Sequence, residues 1–427
     1  MIMRSSEATI SEPIISKEKS RWLDRLARNA VHKHLQQLQK GEIVLREGDI
    51  EYYFGQRTRD CNLCVTIEVH DLHFYSDIAF AGSVGAGEAY MQGFWSCSEL
   101  TTLVRLLLIN RHVVDNMDTS VSRLKLPLHK ILHWFNRNTR SGSRRNIEAH
   151  YDLGNELFEQ FLDPSMMYSA AYYQTPTMSL EKAAIAKLDR ICLKLELTPD
   201  DHVLEIGSGW GGFAIRAAQH YGCHVTTTTI SKQQYELACT RVKQKGLEDR
   251  ITVLMEDYRD LEGQFDKLVS IEMIEAIGHQ YVNTYFSHCS HLLKPNGMML
   301  LQAITITDQQ YEVALRDVDF IKRYIFPGGF LPSITLMANS IAKFTDMKLF
   351  HMEDIGPHYA TTLRDWRQRF IQNIEQIKSH GYTDVFIRMW EFYLCYCEGA
   401  FRERAIGTVQ MLLTKPDCRR TPVQLPD

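Results

Sequence analysis

The chain has 427 residues, 44% of them hydrophobic, and 48 lysines and arginines against 52 aspartates and glutamates give a formal charge of −4. At roughly 100–200 residues per domain, that is room for two or three domains with real cores. Aromatic residues at 10%, with 24 glycines and 12 prolines, exclude a disordered or collagen-like chain, and ten cysteines are too sparse for a disulfide scaffold. Near-neutral charge argues against nucleic acid as a partner, and the lack of an apolar signal-peptide core predicts a reducing, cytoplasmic compartment.

Over residues 17–40, Trp22, Leu23, Leu26, Ala30, Leu35 and Leu38 recur at near-helical spacing among Lys17, Lys19, Arg21, Arg25, Arg28, Lys33 and Lys40. This basic amphipathic helix reads either as a solvated helix packed on its own domain or as a peripheral attachment to the inner face of an anionic membrane. Residues 64–69 and 73–75 are predicted as strands, the glycine-rich stretch 82–93 as turns, and 100–110 as an apolar helix. Residues 1–120 then form a small α+β domain. Residues 121–145 carry seven lysines and arginines and no acid, with an apolar face over 128–135. They read as a basic amphipathic linker at a domain boundary, suited to a lipid interface. His129 and His133 lie four apart without a third ligand pattern, so no metal is expected.

Beyond the boundary, strands at 203–206, 223–229, 251–254, 265–271 and 298–304 alternate with helices at 211–220, 231–245 and 281–293, and a last strand falls at 407–414. Such alternation implies βαβ units, hence an α/β, Rossmann-like domain over 146–420 whose mostly parallel sheet is covered on both faces. The longest charge-free stretch, 324–342, is broken by Pro327, Gly328, Gly329 and Pro332. It is too interrupted to span a membrane and reads as the wall or lid of an apolar pocket, or as core.

Gly207, Gly209 and Gly212 satisfy G-x-G-x-x-G between a predicted strand and a predicted helix, where a tight turn lets a ligand approach the backbone and helix-start N–H groups attract electronegative atoms. No Gly-Lys-Ser/Thr follows, which disfavours a phosphate-binding loop. A nicotinamide enzyme would place an acid after the second strand, where this chain has Thr226-Thr-Thr-Thr229-Ile230-Ser231. The third reading is S-adenosylmethionine: methyltransferase domains resemble this layout and often carry an acid just before the glycines, as Glu205 does here.

The motifs His150-Tyr-Asp-Leu-Gly-Asn155, Met167-Tyr-Ser169, Glu205-Ile-Gly-Ser-Gly-Trp-Gly211, Thr229-Ile-Ser-Lys232, Gly278-His279, Tyr324-Ile-Phe-Pro-Gly328 and His358-Tyr359 follow in order. From about 144 to 415 the chain resembles the cyclopropane fatty acid synthases and mycolic acid cyclopropane synthases, and its first 120 residues resemble, less specifically, the extra domain of the bacterial phospholipid enzymes. The resemblance implies methyl transfer from S-adenosylmethionine to the cis double bond of an unsaturated phospholipid acyl chain, by a membrane-associated homodimer. It places Tyr168, Ser169, Glu205, Gly207, Gly209, Gly211, Thr229, Ile230, Gln234 and Tyr258 around the cofactor. It also implies a bound bicarbonate as base, held by Glu275, Tyr359 and the backbone of Ile304, with Gln302 where a histidine is usual and Ala170 where a cysteine is common. Cys397 matches a cysteine once proposed as catalytic; direct methyl transfer needs no covalent nucleophile, so it reads as structural or pocket-lining. Three outcomes stay open: a cyclopropane, a methylene- or methyl-branched chain, and a lipid-binding protein with a degenerate methyltransferase fold.

Overall fold

The computed structural model describes residues 17–113 and 153–424. The linker 121–145 with His129 and His133, and the first three residues of the His150 motif, lie outside the described residues. Contacts divide the described residues into two units, 17–98 with 112–113, and 99–111 with 153–424.

In the first unit, α1 (Lys17–Leu35) is followed by the strands β1 (Gly41–Glu47), β2 (Ile50–Gln56) and β3 (Cys64–Val69), the helix α2 (His73–Met91) and β4 (Trp95–Cys97). The sheet order is β2-β1-β3-β4, with β1 parallel to β3 and the other pairs antiparallel. α1 buries Ala27, Val31 and Leu35, at the four-residue spacing of one helix face, and leaves Trp22, Leu23 and Leu26 exposed. The strand expected at 73–75 and the turns expected at 82–93 are instead the single kinked helix α2. Asp71 Oδ1 accepts the His73 N–H at its start, and Gly82 takes the non-helical φ of 53° that bends it. A Cβ on Gly85 would stand 2.0 Å from the Asp77 carbonyl oxygen, so the glycines serve close packing across the kink.

The second unit opens with α3 (Leu100–Ile109), which the sequence places with the N-terminal domain. It packs on a distant helix of the second unit, where Thr101 donates to Glu398 at 3.1 Å and a Cβ on Gly399 would meet Val104 at 2.6 Å. There follow α4 (Asn155–Glu159), α5 (Leu180–Lys194), β5 (His202–Ile206), α6 (Gly212–Tyr221), β6 (His224–Thr228), α7 (Lys232–Gln244), β7 (Ile251–Leu254), β8 (Phe265–Ile271), α8 (Val282–His291) and β9 (Leu293–Ile306). The chain ends with α9 (Asp308–Arg316), α10 (Ile334–Phe344), β10 (Lys348–Asp354), α11 (Gly356–Gln372), α12 (Ile374–Ser379), α13 (Asp384–Arg402) and β11 (Ile406–Thr414). The seven strands run β10-β11-β9-β8-β5-β6-β7, parallel from β9 to β7 and antiparallel where β11 and β10 are added.

Helices cover both faces, which is why the strands read as nearly continuous apolar runs. Along β9, Met298 and Leu300 pack with Leu188, Ile191 and Phe213 of α5 and α6, whereas Met299, Leu301 and Ala303 pack with Tyr285, Phe286, Met337 and Ile341 of α8 and α10. The charge-free stretch 324–342 is thus two things: a loop, and a core helix capped by Ser333, whose hydroxyl accepts the Leu336 N–H at 3.2 Å. The parallel strands direct their C-terminal ends, 206–209, 228–231 and 271–275, to one edge of the sheet, where open α/β sheets bind ligands.

Candidate active site

The turn after β5 carries Gly207, Gly209 and Gly211 at φ of 96°, 48° and 84°. The Gly207 and Ser208 amides both donate to the Thr228 carbonyl, at 3.1 and 2.8 Å. They hold the turn itself; the helix-start amides expected to face a ligand are those at the beginning of α6, from Gly212 onward. Nothing lies within 4 Å of where a Gly209 Cβ would be, so the turn faces open space. At Gly212 a Cβ would stand 2.6 Å from the Ser165 carbonyl and 2.7 Å from the Met167 sulfur; this close approach carries the loop leading to Tyr168, Ser169 and Ala170 over the start of α6.

The remaining residues that the resemblance gives to the cofactor are held by short-range bonds. Thr229 donates to Gln234 Oε1 at 2.8 Å and accepts the Ser231 N–H. Ile230 lies between them, and Tyr258 packs edge-on to Tyr285. Glu205, paired in register with Thr227, accepts its hydroxyl at 2.6 Å; burial lifts the Glu205 carboxyl to about 8 against that bond and the Lys187 charge. Lys187, fully buried, donates to Ser169 Oγ at 2.8 Å. Burial lowers its ammonium to about 8, opposed by the charges of Glu272, Asp163 and Glu205. Open space over glycines at positive φ, a paired threonine and glutamine after β6, and the Tyr258 ring fit S-adenosylmethionine, which Gly207, Gly209, Gly211, Thr229, Gln234 and Tyr258 would hold.

The anion cradle departs from expectation. Ala170 N–H, Gln302 Nε2 and Tyr359 Oη converge at 3.0, 2.8 and 2.8 Å, but on the carboxylate of Glu272, a side chain of the chain itself. Bicarbonate therefore does not fit these three donors, which are already engaged. Glu275 stands apart from them: one oxygen accepts the Ile304 N–H at 2.6 Å, the other is buried without a hydrogen-bond partner, and its own carbonyl accepts the Phe330 N–H. Burial and the Glu272 charge lift the Glu275 carboxyl to about 8. Cys397 makes no hydrogen bond to Glu272 or Glu275 but lies near enough to Tyr359 to act on it electrostatically. Burial and Asp319 push its thiol well above the usual value, which makes it a poor nucleophile.

The walls are aromatic. Tyr168 donates or accepts at Tyr393 Oη, 2.8 Å away, and its ring meets Phe158, Trp366 and Phe326 at 5.3, 5.2 and 6.4 Å. Tyr359 stacks on Phe401 at 4.5 Å. Its hydroxyl, held far above its ordinary titration by burial and Glu272, remains a donor at every assay pH. Tyr359→Phe removes one of three bonds to a buried carboxylate, and a hydrogen bond to a charged group contributes about 1.5–3 kcal/mol. The expected result is a kcat lower by roughly 10–100-fold with unchanged S-adenosylmethionine affinity, read by steady-state kinetics beside calorimetry.

Three members of this site were not assigned from sequence: Glu272, Lys187 and Gln410. Lys187 shares a helix face with Ala183, Ala184 and Ile191, an apolar stripe on which a lysine is conspicuous. Gln410 pairs in register with Gln302 and donates to it at 2.9 Å. Glu272 follows the last residue of β8, three before Glu275, and only its backbone sets it apart.

Fold and site together define a Rossmann-like, class I S-adenosylmethionine-dependent methyltransferase. The family described as mycolic acid cyclopropane synthetase matches residues 138–411, and the chain belongs to it: the protein is a C-methyltransferase of the cyclopropane synthase type. It is 38% identical over 345 residues to the tuberculostearic acid methyltransferase UfaA1 of Mycobacterium tuberculosis, covering 78% of this chain and 79% of that protein. It is also 38% identical over 357 residues to the cyclopropane-fatty-acyl-phospholipid synthase of Escherichia coli K12, covering 82% and 87%. The crystal structure of the mycolic acid cyclopropane synthase CmaA1 complexed with SAH and CTAB superposes with a TM-score of 0.60 at 32% identity, over 64% of this chain and 98% of that one.

Proposed function

We propose that the protein adds a methylene across the cis double bond of unsaturated acyl chains in phospholipid, forming cyclopropane fatty acids. The observation that supports this reading is a buried carboxylate fixed by three donors inside aromatic walls. An alkene that accepts a methyl becomes cationic on an apolar chain, and such a cation needs a fixed negative charge and ring faces close by, with water excluded. Bound S-adenosylmethionine supplies an electrophilic methyl group. The glycine turn admits it, Thr229 and Gln234 orient it, and Tyr168, Trp366 and Phe326 hold the acyl chain against it.

The lipid surface in this proposal meets α1, where Trp22 is 61% and Leu26 49% exposed beside the exposed Arg25. Among the described residues no helix is long and apolar enough to cross a membrane. A second reading keeps cofactor and lipid but ends in a methyl- or methylene-branched chain. The identity to a protein named as a methyltransferase, equal to that with a named synthase, favours keeping it.

Methyl-labelled S-adenosylmethionine is incubated with the protein and vesicles of cis-monounsaturated anionic phospholipid, fully saturated vesicles, or soluble amines without vesicles. Label is expected in the unsaturated lipid alone. Label in saturated lipid or in soluble acceptors, or in none of the three, overturns the substrate assignment.

A further inference from the structure

Two features mark the engagement of Glu272 as a built arrangement. Its backbone lies in the left-handed region at φ 51°, which glycine adopts freely and a glutamate rarely does; such strain persists where the surroundings enforce it and concentrates at functional sites. The second feature is a hydrogen-bond chain whose direction is fixed from its far end. Lys194 can only donate, at 2.7 Å to Gln410 Oε1; Gln410 Nε2 then donates to Gln302 Oε1, and Gln302 Nε2 is left facing Glu272, where it requires an acceptor. The ammonium thus fixes the orientation of two amides and favours an ionised carboxylate at their end.

We propose that Glu272 is the general base of the reaction, a carboxylate built into the chain in place of a bound bicarbonate. The proposal rests on the alkene-methylation reading above. As the π electrons bond to the transferred methyl, the neighbouring carbon becomes cationic and the sulfur departs with its electron pair as S-adenosylhomocysteine. Glu272 then takes a proton from the new methyl, the C–H pair closes the third bond of the ring, and Glu272 is left as a carboxylic acid. Oε2, bonded to Tyr359 alone, retains a lone pair for that proton, whereas Oε1 serves both Ala170 and Gln302. Burial raises the Glu272 carboxyl against its three donors and Lys187, which increases its basicity. Burial and the neighbouring Glu272 charge raise the Glu275 carboxyl to about 8, whereas at Glu272 three donors and Lys187 favour the charged form against burial.

The test compares the wild type, Glu272→Gln and Glu272→Gly in CO2-stripped buffer, with and without added bicarbonate. Glycine suits the φ at this position, so Glu272→Gly keeps the fold while opening the cradle; S-adenosylmethionine affinity and melting temperature verify both variants. Wild-type turnover is expected to be indifferent to bicarbonate. Glu272→Gln is expected to lose at least about 100-fold in kcat, and Glu272→Gly to be inactive in stripped buffer and partly restored by bicarbonate. Carbon-13 bicarbonate should bind Glu272→Gly and not the wild type, a readout independent of turnover. Lipid methylation by the wild type that needs bicarbonate, or Glu272→Gln at more than a tenth of wild-type kcat, overturns the assignment of Glu272 and leaves the substrate assignment standing. A wild type that methylates no lipid in either buffer overturns the substrate assignment instead.

Discussion

Replacing Gly207 by valine is expected to weaken S-adenosylmethionine binding at least about 100-fold, some 2.7 kcal/mol. Two effects add. At φ 96° an L side chain is strained, a β-branched one most of all. A Cβ there would also stand 3.1 Å from Met273 Cγ and 3.3 Å from Met273 Cβ, and the γ-methyls have only the space above the turn to occupy. Met273 adjoins Glu272, so the same substitution presses on the end of β8 and lowers the melting temperature by a few degrees. Calorimetric titration with S-adenosylmethionine and its demethylated product reads the effect; an unchanged affinity would mean that the cofactor sits away from this turn.

The second large effect is one of stability. Glu353 receives both Arg190 and Lys194, the latter at 2.6 Å with its side chain fully buried. Burial pushes the Glu353 carboxyl up, but the two cationic donors outweigh it and hold it at about 2. Glu353→Gln leaves those cations without their counter-charge, and breaking a buried pair from one side costs about 3 kcal/mol, or roughly 5–10 °C in melting temperature. Because this carboxyl is depressed in the folded state, its contribution is fully present above the unfolded value near 4.5 and is lost as pH falls through about 2. Denaturation of the wild type and the variant should therefore converge at acidic pH; a constant difference down to pH 2 would contradict the assignment.

The β5–α6 turn was legible because glycines at fixed spacing, flanked by a strand and a helix, have few other physical meanings. The remaining parallel strands followed from apolar runs bounded by turns. α2 was not legible: its three glycines look like turn residues locally, and only the bend at Gly82 and the close approach at Gly85 explain why they sit in a helix. α3 was read correctly as a helix, but its place in the second unit depends on Gly399, nearly 300 positions away. Glu275, Gln302, Tyr359, Ala170 and Ile304 were singled out by resemblance, and the structure gathers the last four around two carboxylates rather than one. Glu272 escaped because a glutamate at a strand end is ordinary until its φ and its three donors are known. Lys187 and Gln410 escaped because their partners lie on other elements of the fold.

The most direct measurement is proton NMR of the fatty acids released after the protein has acted on S-adenosylmethionine and cis-monounsaturated phospholipid vesicles. Mass alone does not serve, since a cyclopropane and a methylene-branched chain are isomers. Upfield ring protons, in CO2-stripped buffer as in bicarbonate, are the predicted result, because a carboxylate fixed beside the new methyl removes its proton before a hydride shifts. Exocyclic alkene protons, or a branched methyl signal without ring protons, would contradict ring closure and show that the Glu272 site releases the cation by another route.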